Sequence, residues 1–179
     1  RGDLMKVYPI TPRGYCKGVV RAIELAKNNP QDDVYILGMI VHNQYIVDAL
    51  NNLGVKTIDK KVLREELLDQ VSQGTVIITA HGASHNVIKK AHSKNIQVIN
   101  ATCPDVIKTH DLIKNYLNQG IEILYIGKAG HPESEGALSI DPAHIHLIEN
   151  KTDFENLDPN LNYVITNQTT MSLYDVYDL

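Results

Sequence analysis

The feature that most constrains the fold is a regular alternation of short β-rich runs with helical patterns along the whole 179-residue chain. The predicted strands cover residues 6–10, 34–39, 56–58, 75–79, 97–99, 122–126, 144–148 and 163–166. The helical patterns cover residues 16–27, 43–53, 62–71, 84–95, 105–119, 134–138 and 152–157, and a last helix begins near Met171 with Thr169 or Thr170 as its cap. Such alternation is typical of βαβ units, in which helices connect parallel strands. The pattern therefore predicts an α/β protein.

The number of strands argues for more than one sheet. Eight strands exceed what one small sheet usually holds. We therefore predict two similar βαβ lobes with small parallel sheets, one over residues 16–102 and one over 103–179. Residues 1–15 form an N-terminal segment that carries the first predicted strand.

Charge and cysteine content exclude several functional classes. The net charge is −4 and no block of five basic residues occurs, so nucleic acid is not expected as a partner. No apolar run has the length of a membrane span, and no signal peptide is visible. Two cysteines are too few for a disulfide framework. We expect a cytoplasmic protein whose cysteines act as thiols or as metal ligands.

Both cysteines lie at predicted strand-to-helix junctions. Cys103 follows an apolar run and precedes a long helical pattern, with Pro104 in the first turn and Thr102 or Asp105 near the cap. Cys16 also opens a predicted helix. Helix N-termini favour thiolates and other anions because free backbone N–H groups point outward there. The two cysteines therefore predict one shared site.

Other chemically useful residues follow predicted strands in the same way. His42, His81 and His131 each come after a strand, Glu133 is two residues past His131, and a Thr-rich loop at 166–170 follows the last strand. Ligands of open parallel sheets bind outside the carboxyl ends of the strands. Taken singly, each cysteine is more often a small buried residue and each histidine a cap or surface residue. Their joint placement favours a functional site.

The residue types at this site suggest its chemistry. Imidazoles beside hydroxyls and helix N-termini suit a phosphate or diphosphate. Glu133 could deliver a proton to a ligand held there. Thiolates suit a soft metal or an iron–sulfur cluster. The charged run at residues 64–66 is predicted to be a solvated helix face, and the remaining histidines receive no role.

Six motifs carry a family resemblance. They are PRGYCKGV at 12–19, VHNQY at 41–45, AHGAS at 80–84, NATCP at 100–104, GHPESEG at 130–136 and TNQTT at 166–170. In this order they resemble the 4-hydroxy-3-methylbut-2-enyl diphosphate reductases of the IspH/LytB family. The resemblance implies an iron–sulfur oxidoreductase that removes the substrate's 4-hydroxyl group and forms isopentenyl and dimethylallyl diphosphate, the last step of the methylerythritol phosphate route to isoprenoids.

The resemblance also implies residue roles. Cys16 and Cys103 match two of the three cysteines that hold the family's 4Fe–4S cluster. The site histidines match diphosphate ligands: His42, His81 and His131. Glu133 matches the proton source, and Thr169 matches a residue that helps to place the substrate hydroxyl and the proton relay. A ferredoxin or flavodoxin-type protein is the implied electron donor.

The sequence departs from the family pattern in two respects. The family's third cysteine and its Ser-x-Asn diphosphate loop are not in this sequence, and about two of the family's three lobes are covered. We therefore expect a fragment that holds no intact cluster and is inactive alone. Its first strand is expected to be displaced or paired with another chain, and self-association of the chain is expected through the face that the missing lobe would cover.

Two other functional classes stay open at this point. One is a metal-dependent hydrolase that uses the His and Glu residues around zinc. The other is a non-catalytic diphosphate-binding module in which the cysteines are merely buried.

Overall fold

The computed structural model describes residues 5–9, 11, 14–29, 33–60 and 62–179. The strands are β1 Val34–Leu37, β2 Val55–Ile58, β3 Thr75–Ile78, β4 Gln97–Asn100, β5 Glu122–Ile126, β6 Ile145–Ile148 and β7 Tyr163–Asn167. The α-helices are α1 Lys17–Lys27, α2 Gln44–Asn52, α3 Arg64–Leu67, α4 His85–Ser93, α5 Pro104–Leu117, α6 Pro132–Leu138 and α7 Leu173–Tyr177. Short 3-10 helices occur at Leu68–Gln70 and Lys151–Asn156.

The first sheet is four-stranded and parallel, in the order β2-β1-β3-β4. Its central strand β3 is buried along its whole length, as expected for a parallel sheet with both faces covered. Ile36 and Ile77 pack on one face with Ala22 of α1. Leu37, Val76 and Ile78 pack on the other face, in a cluster with Leu67 and Val87.

The second sheet is three-stranded and parallel, in the order β6-β5-β7. Side chains of β5 alternate between two apolar clusters. Ile123 and Tyr125 pack with Ile113 and Ala137 of α5 and α6. Leu124 and Ile126 pack on the opposite face with Ile148.

The predicted α/β class with two small parallel sheets is confirmed. The strands of the first sheet lie within residues 34–100 and those of the second within 122–167, so they fall on either side of the predicted boundary at 102/103. The boundaries themselves stay a prediction. In the part of the chain that the structure describes, no helix is long and apolar enough to cross a membrane.

The strand predicted at 6–10 is wrong for residues 6–9, and Ile10 lies outside the described residues. Residues 5–9 have no strand structure, and Val7 is 81% exposed. A β-rich pattern forms a strand only where a neighbouring strand accepts its backbone hydrogen bonds. The pattern at 6–9 therefore shows the propensity of the segment but not its partner.

Three details of the helices also differ from prediction. The helix predicted over 62–71 is a short α3 followed by a 3-10 turn, and the one over 152–157 is a 3-10 helix. The N-cap of α7 is Ser172, whose side chain accepts the N–H of Tyr174, and not Thr169 or Thr170. Two threonines and a serine in one loop are all good caps, so sequence alone does not choose between them.

Candidate functional site

The carboxyl ends of strands from both sheets open into one cavity of about 660 Å³. Gly38 and His42 follow β1, Lys60 follows β2, His81 follows β3 and His131 follows β5. The cavity is also lined by Met39, Asp59, Val62, Leu63, Arg64, Glu66, Leu67, Gly130 and Pro132. The structure thus brings the three predicted histidines together at the edge where ligands of parallel sheets bind.

The histidines differ in burial and contacts. His42 is exposed, whereas His81 and His131 are half-buried and pack edge to face with ring centroids 5.4 Å apart. His131 is the N-cap of α6, and its Nδ1 accepts the N–H of Glu133 at 3.2 Å. A neutral ring that accepts at Nδ1 carries its proton on Nε2. His131 therefore has one N–H left to donate to an anion.

The electrostatics of the cavity favour the neutral form of the His81 and His131 rings. Burial, together with the charges of Arg64, His131 and His42, lowers the pKa of His81 to about 4. Burial also lowers the pKa of His131, with Arg64 and Lys128 acting in the same direction. A bound anion would oppose these shifts, because a nearby negative charge stabilises a protonated imidazole. The cavity is not uniformly basic, since exposed Asp59 and Glu66 line it too.

Arg64 corrects the prediction that residues 64–66 form a solvated helix face. It is 6% exposed and lines the cavity. Its Nη1 donates to the carbonyl oxygen of Gly82, and its Nη2 donates to Thr79 Oγ1 at 2.7 Å. The missed signal was helical periodicity. Leu67 and Leu68 are three and four residues past Arg64, so the arginine shares their buried face.

Glu133 lies in the first turn of α6 and is 1% exposed. Its carboxylate accepts two hydrogen bonds from Thr169, the backbone N–H at 2.7 Å and the hydroxyl at 3.1 Å. Burial raises the pKa of Glu133, and the two bonds from Thr169 oppose that rise. The structure therefore joins the predicted proton source to the predicted threonine, two residues from His131.

Two buried polar residues that the sequence did not single out hold the Thr169 loop in place. Ser134 Oγ and the backbone N–H of Lys128 both donate to Gln168 Oε1 at 3.3 Å. Gln168 Nε2 donates to Thr170 Oγ1 at 2.7 Å. Ser134 and Gln168 lie inside motifs noted above, but their role depends on contacts between residues 34 positions apart.

The two cysteines lie at neighbouring helix N-termini. Cys16 is the exposed N-cap of α1, and half-buried Cys103 is the N-cap of α5, between the predicted cap candidates Thr102 and Asp105. A Cβ atom added to Gly18 would lie 2.7 Å from Cys103 Sγ, so this thiol packs against the first turn of α1. Neither cysteine is in a disulfide.

The cysteine end and the histidine cavity belong to one continuous region. The N–H of Cys103 donates to the carbonyl oxygen of Ala80 at 2.8 Å, and Ala80 precedes His81. Thr102 packs against Gly82, where an added Cβ would lie 3.3 Å from its methyl group.

Two thiols beside helix N-termini suit a thiolate-bound group, because the helix ends favour the deprotonated sulfur. The sequence has only these two cysteines to offer. Within the described ranges, no three His, Cys, Asp or Glu side chains are arranged to hold a metal ion by themselves.

Comparison with known proteins gives a consistent result. A family model described as LytB protein matches residues 7–179. The 4-hydroxy-3-methylbut-2-enyl diphosphate reductase of Brevibacillus brevis is 51% identical and aligns with 98% of this chain and 58% of its own length. The enzyme of the same name from a Geobacillus species is 52% identical, over 98% of this chain and 57% of its own length.

Solved structures share the fold. The E-1-hydroxy-2-methyl-but-2-enyl-4-diphosphate reductase of Plasmodium falciparum has a TM-score of 0.82 and 31% identity, over 93% of this chain and 52% of its own. A second structure, of an (E)-4-hydroxy-3-methyl-but-2-enyl diphosphate reductase, has a TM-score of 0.77 and 30% identity. This chain thus spans slightly more than half the length of the proteins it matches.

Proposed function

Since this chain belongs to the LytB protein family, we propose that it forms the histidine cavity and part of the redox site of a 4-hydroxy-3-methylbut-2-enyl diphosphate reductase. The reaction adds two electrons and two protons to the substrate, breaks its C4–O bond and releases the 4-hydroxyl group as water. The products are isopentenyl and dimethylallyl diphosphate. A ferredoxin or flavodoxin-type protein in the cytoplasm supplies the electrons.

The observation that carries this proposal is the juxtaposition of a histidine cavity with a buried carboxyl group. His131 lines the cavity and caps the helix that carries Glu133. His42, His81 and His131 would bind the diphosphate, with the charge of Lys60 at the same cavity. Imidazole and ammonium groups make strong hydrogen bonds to phosphate oxygens because the pair is charge-assisted.

Glu133 is suited to proton delivery at the other end of the substrate. Burial raises its pKa and so favours the protonated acid that a proton donor must be. The Thr169 hydroxyl contacts its carboxylate, so a proton can pass from Glu133 through Thr169 to a leaving hydroxyl. The buried Gln168 contacts fix the loop from which Thr169 points.

Cys16 and Cys103 fit as two thiolate ligands of the family's 4Fe–4S cluster. Both cysteines cap helices. The Cys103 thiol packs against Gly18, which is two residues after Cys16 in the sequence. When bound, such a cluster supplies the electrons, while the protein binds and orients the substrate and provides protons. The third cysteine that the resemblance implies is not among these 179 residues. The chain alone is therefore expected to hold no intact cluster and to have no reductase activity.

The test is a chimera in which residues 5–179 are followed by the remaining C-terminal segment of the Brevibacillus brevis relative. After anaerobic addition of iron and sulfide, Glu133→Gln should bind substrate but lose at least about 100-fold in turnover, the usual size of an acid–base contribution. The matched control is Glu149→Gln, which changes an exposed carboxylate that also accepts a backbone N–H, that of Ala129. Near-normal turnover of Glu133→Gln would remove Glu133 from the mechanism.

The histidines are tested in the same chimera. Single His→Asn changes at His42, His81 and His131 should each raise the Michaelis constant and weaken inhibition by inorganic diphosphate. If these variants instead lost folding with unchanged affinity, the histidines would be structural caps.

The rival classes give different results in these assays. A zinc hydrolase would act in air with zinc and would need no reductant. A binding module would keep its affinity for diphosphate after both cysteines are replaced and would reduce nothing.

A further inference from the structure

Arg64 is a buried cation whose observed partners are all neutral. The hydrogen bonds of its guanidinium go to a carbonyl oxygen and a hydroxyl, both in the turn around His81. Burial lowers its pKa to about 10 against the opposing charges of Glu135 and Asp59, so it stays charged at pH 7. A buried charge that lacks a hydrogen-bonded counter-ion costs stability. Its presence here therefore indicates a role other than stabilising the fold.

The surrounding backbone makes room for this side chain. A Cβ atom added to Gly38 would lie 3.2 Å from Arg64 Nη2 and 3.4 Å from Nε. Gly38 also has a φ of +79°, a conformation that favours glycine. Gly38 therefore lets the guanidinium lie between the end of β1 and the end of β3, at the wall of the cavity.

We propose that Arg64 is a positioning residue for the anion site: its guanidinium fork holds the Thr79–Gly82 turn so that His81 faces a bound diphosphate, and its fixed charge favours the anion. The proposal rests on the diphosphate site proposed above. The two hydrogen bonds go to residues on either side of His81 in the sequence: Thr79 is two residues before it and Gly82 is the next residue after it. A fork with two donors fixes a turn in a way that one ammonium group cannot.

Substitutions at Arg64 and Thr79 separate the geometric and electrostatic parts of the effect. Arg64→Gln removes the charge and one arm of the fork, whereas Arg64→Lys keeps the charge without the fork. Thr79→Val removes the hydroxyl that accepts from Nη2 and leaves Arg64 in place. The matched control is Arg21→Gln, because Arg21 is an exposed arginine whose Nη1 donates to the carbonyl oxygen of Thr102 at 3.2 Å.

The first measurement is the affinity of the 179-residue chain for inorganic diphosphate by titration calorimetry at pH 7.5. Arg64→Gln should raise Kd by about tenfold or more, the effect of losing a charge-assisted interaction. Arg64→Lys and Thr79→Val should each raise it by about threefold, and Arg21→Gln by less than about twofold. A role in folding alone predicts that neither Gln nor Lys changes the Kd of the folded chain, so unchanged Kd values in both variants would overturn the proposal. Equal increases in the two variants would refute its electrostatic part.

The second measurement needs no ligand. Amide hydrogen exchange at residues 79–83 should speed up by about tenfold or more in Arg64→Gln and less in Arg64→Lys, while exchange in α6 stays unchanged. If the wild-type chain fails to bind inorganic diphosphate, the proposed anion site fails, and the exchange data still decide whether Arg64 holds the turn. Unchanged exchange in Arg64→Gln and Thr79→Val would refute the positioning role.

Discussion

His81 makes a prediction about stability and pH that can be worked out in magnitude. In the folded chain its pKa is lowered from 6.5 to about 4, chiefly by burial. The unfolded chain binds a proton at His81 below pH 6.5 and the folded chain does not, so the stability that His81 contributes is full above pH 6.5 and is lost as pH falls. A factor of ten in proton affinity is about 1.4 kcal/mol. The loss is therefore about 2 kcal/mol at pH 5 and about 3 kcal/mol at pH 4.

The assay is urea unfolding of the wild-type chain and of His81→Asn at several values between pH 4 and pH 8. The wild type should lose about 2 kcal/mol more than the variant between pH 8 and pH 5. Other groups titrate equally in both proteins, so the difference between the curves isolates His81. Parallel curves would show that the environment of His81 is not the desolvated, cationic one described above.

A second histidine provides a contrast of opposite sign. His144 Nδ1 lies 2.8 Å from Glu122 Oε1, and this hydrogen bond raises the pKa of His144. The stability that His144 contributes is therefore full below pH 6.5 and is lost as pH rises through the raised pKa. His144→Asn should be less stable than the wild type in the acid range, with the difference vanishing at alkaline pH.

Three further variants test other parts of the structure. Because burial raises the pKa of Glu133, Glu133→Gln should be more stable than the wild type in urea at pH 7.5, with the gap closing as pH falls to about 4. Gly127→Ala should lose about 1–3 kcal/mol in the same assay, since the new Cβ would lie 2.6 Å from Ser134 Oγ; an unchanged midpoint would refute that packing. Ile77→Val should lose about 1 kcal/mol because Ile77 is fully buried, and no loss would place β3 outside the core.

The sequence predicted the interior strands well because their signal is local. Strand β3 is buried on both faces, so the continuous apolar run in its sequence indicates its burial without any knowledge of distant residues. The histidines at the strand ends could be grouped for the same reason, since parallel strands align their carboxyl ends at one edge. The roles of those histidines stay a prediction.

The sequence could not supply information that depends on partners distant in the chain. The segment at 6–9 has a strand-like pattern, but strand formation needs a neighbour that no local pattern reveals. The role of Gln168 in holding the Thr169 loop is evident only from its hydrogen bond with Ser134. Arg64 is the instructive error: its charge suggested solvent, whereas its spacing from Leu67 placed it on the buried face. Periodicity was the better guide there because burial of a face is decided by the whole helix.

The most direct test of the central claim is the electron stoichiometry of the completed chimera. Under anaerobic conditions, after reconstitution with iron and sulfide, a reduced one-electron dye is supplied with 4-hydroxy-3-methylbut-2-enyl diphosphate. The account predicts that two dye molecules are oxidised for each substrate consumed, and that replacing either Cys16 or Cys103 by Ser abolishes the reaction. Dye oxidation that persists in both cysteine variants, or a reconstituted chimera that consumes no substrate, would contradict the claim that these cysteines and the histidine cavity form one reductase site.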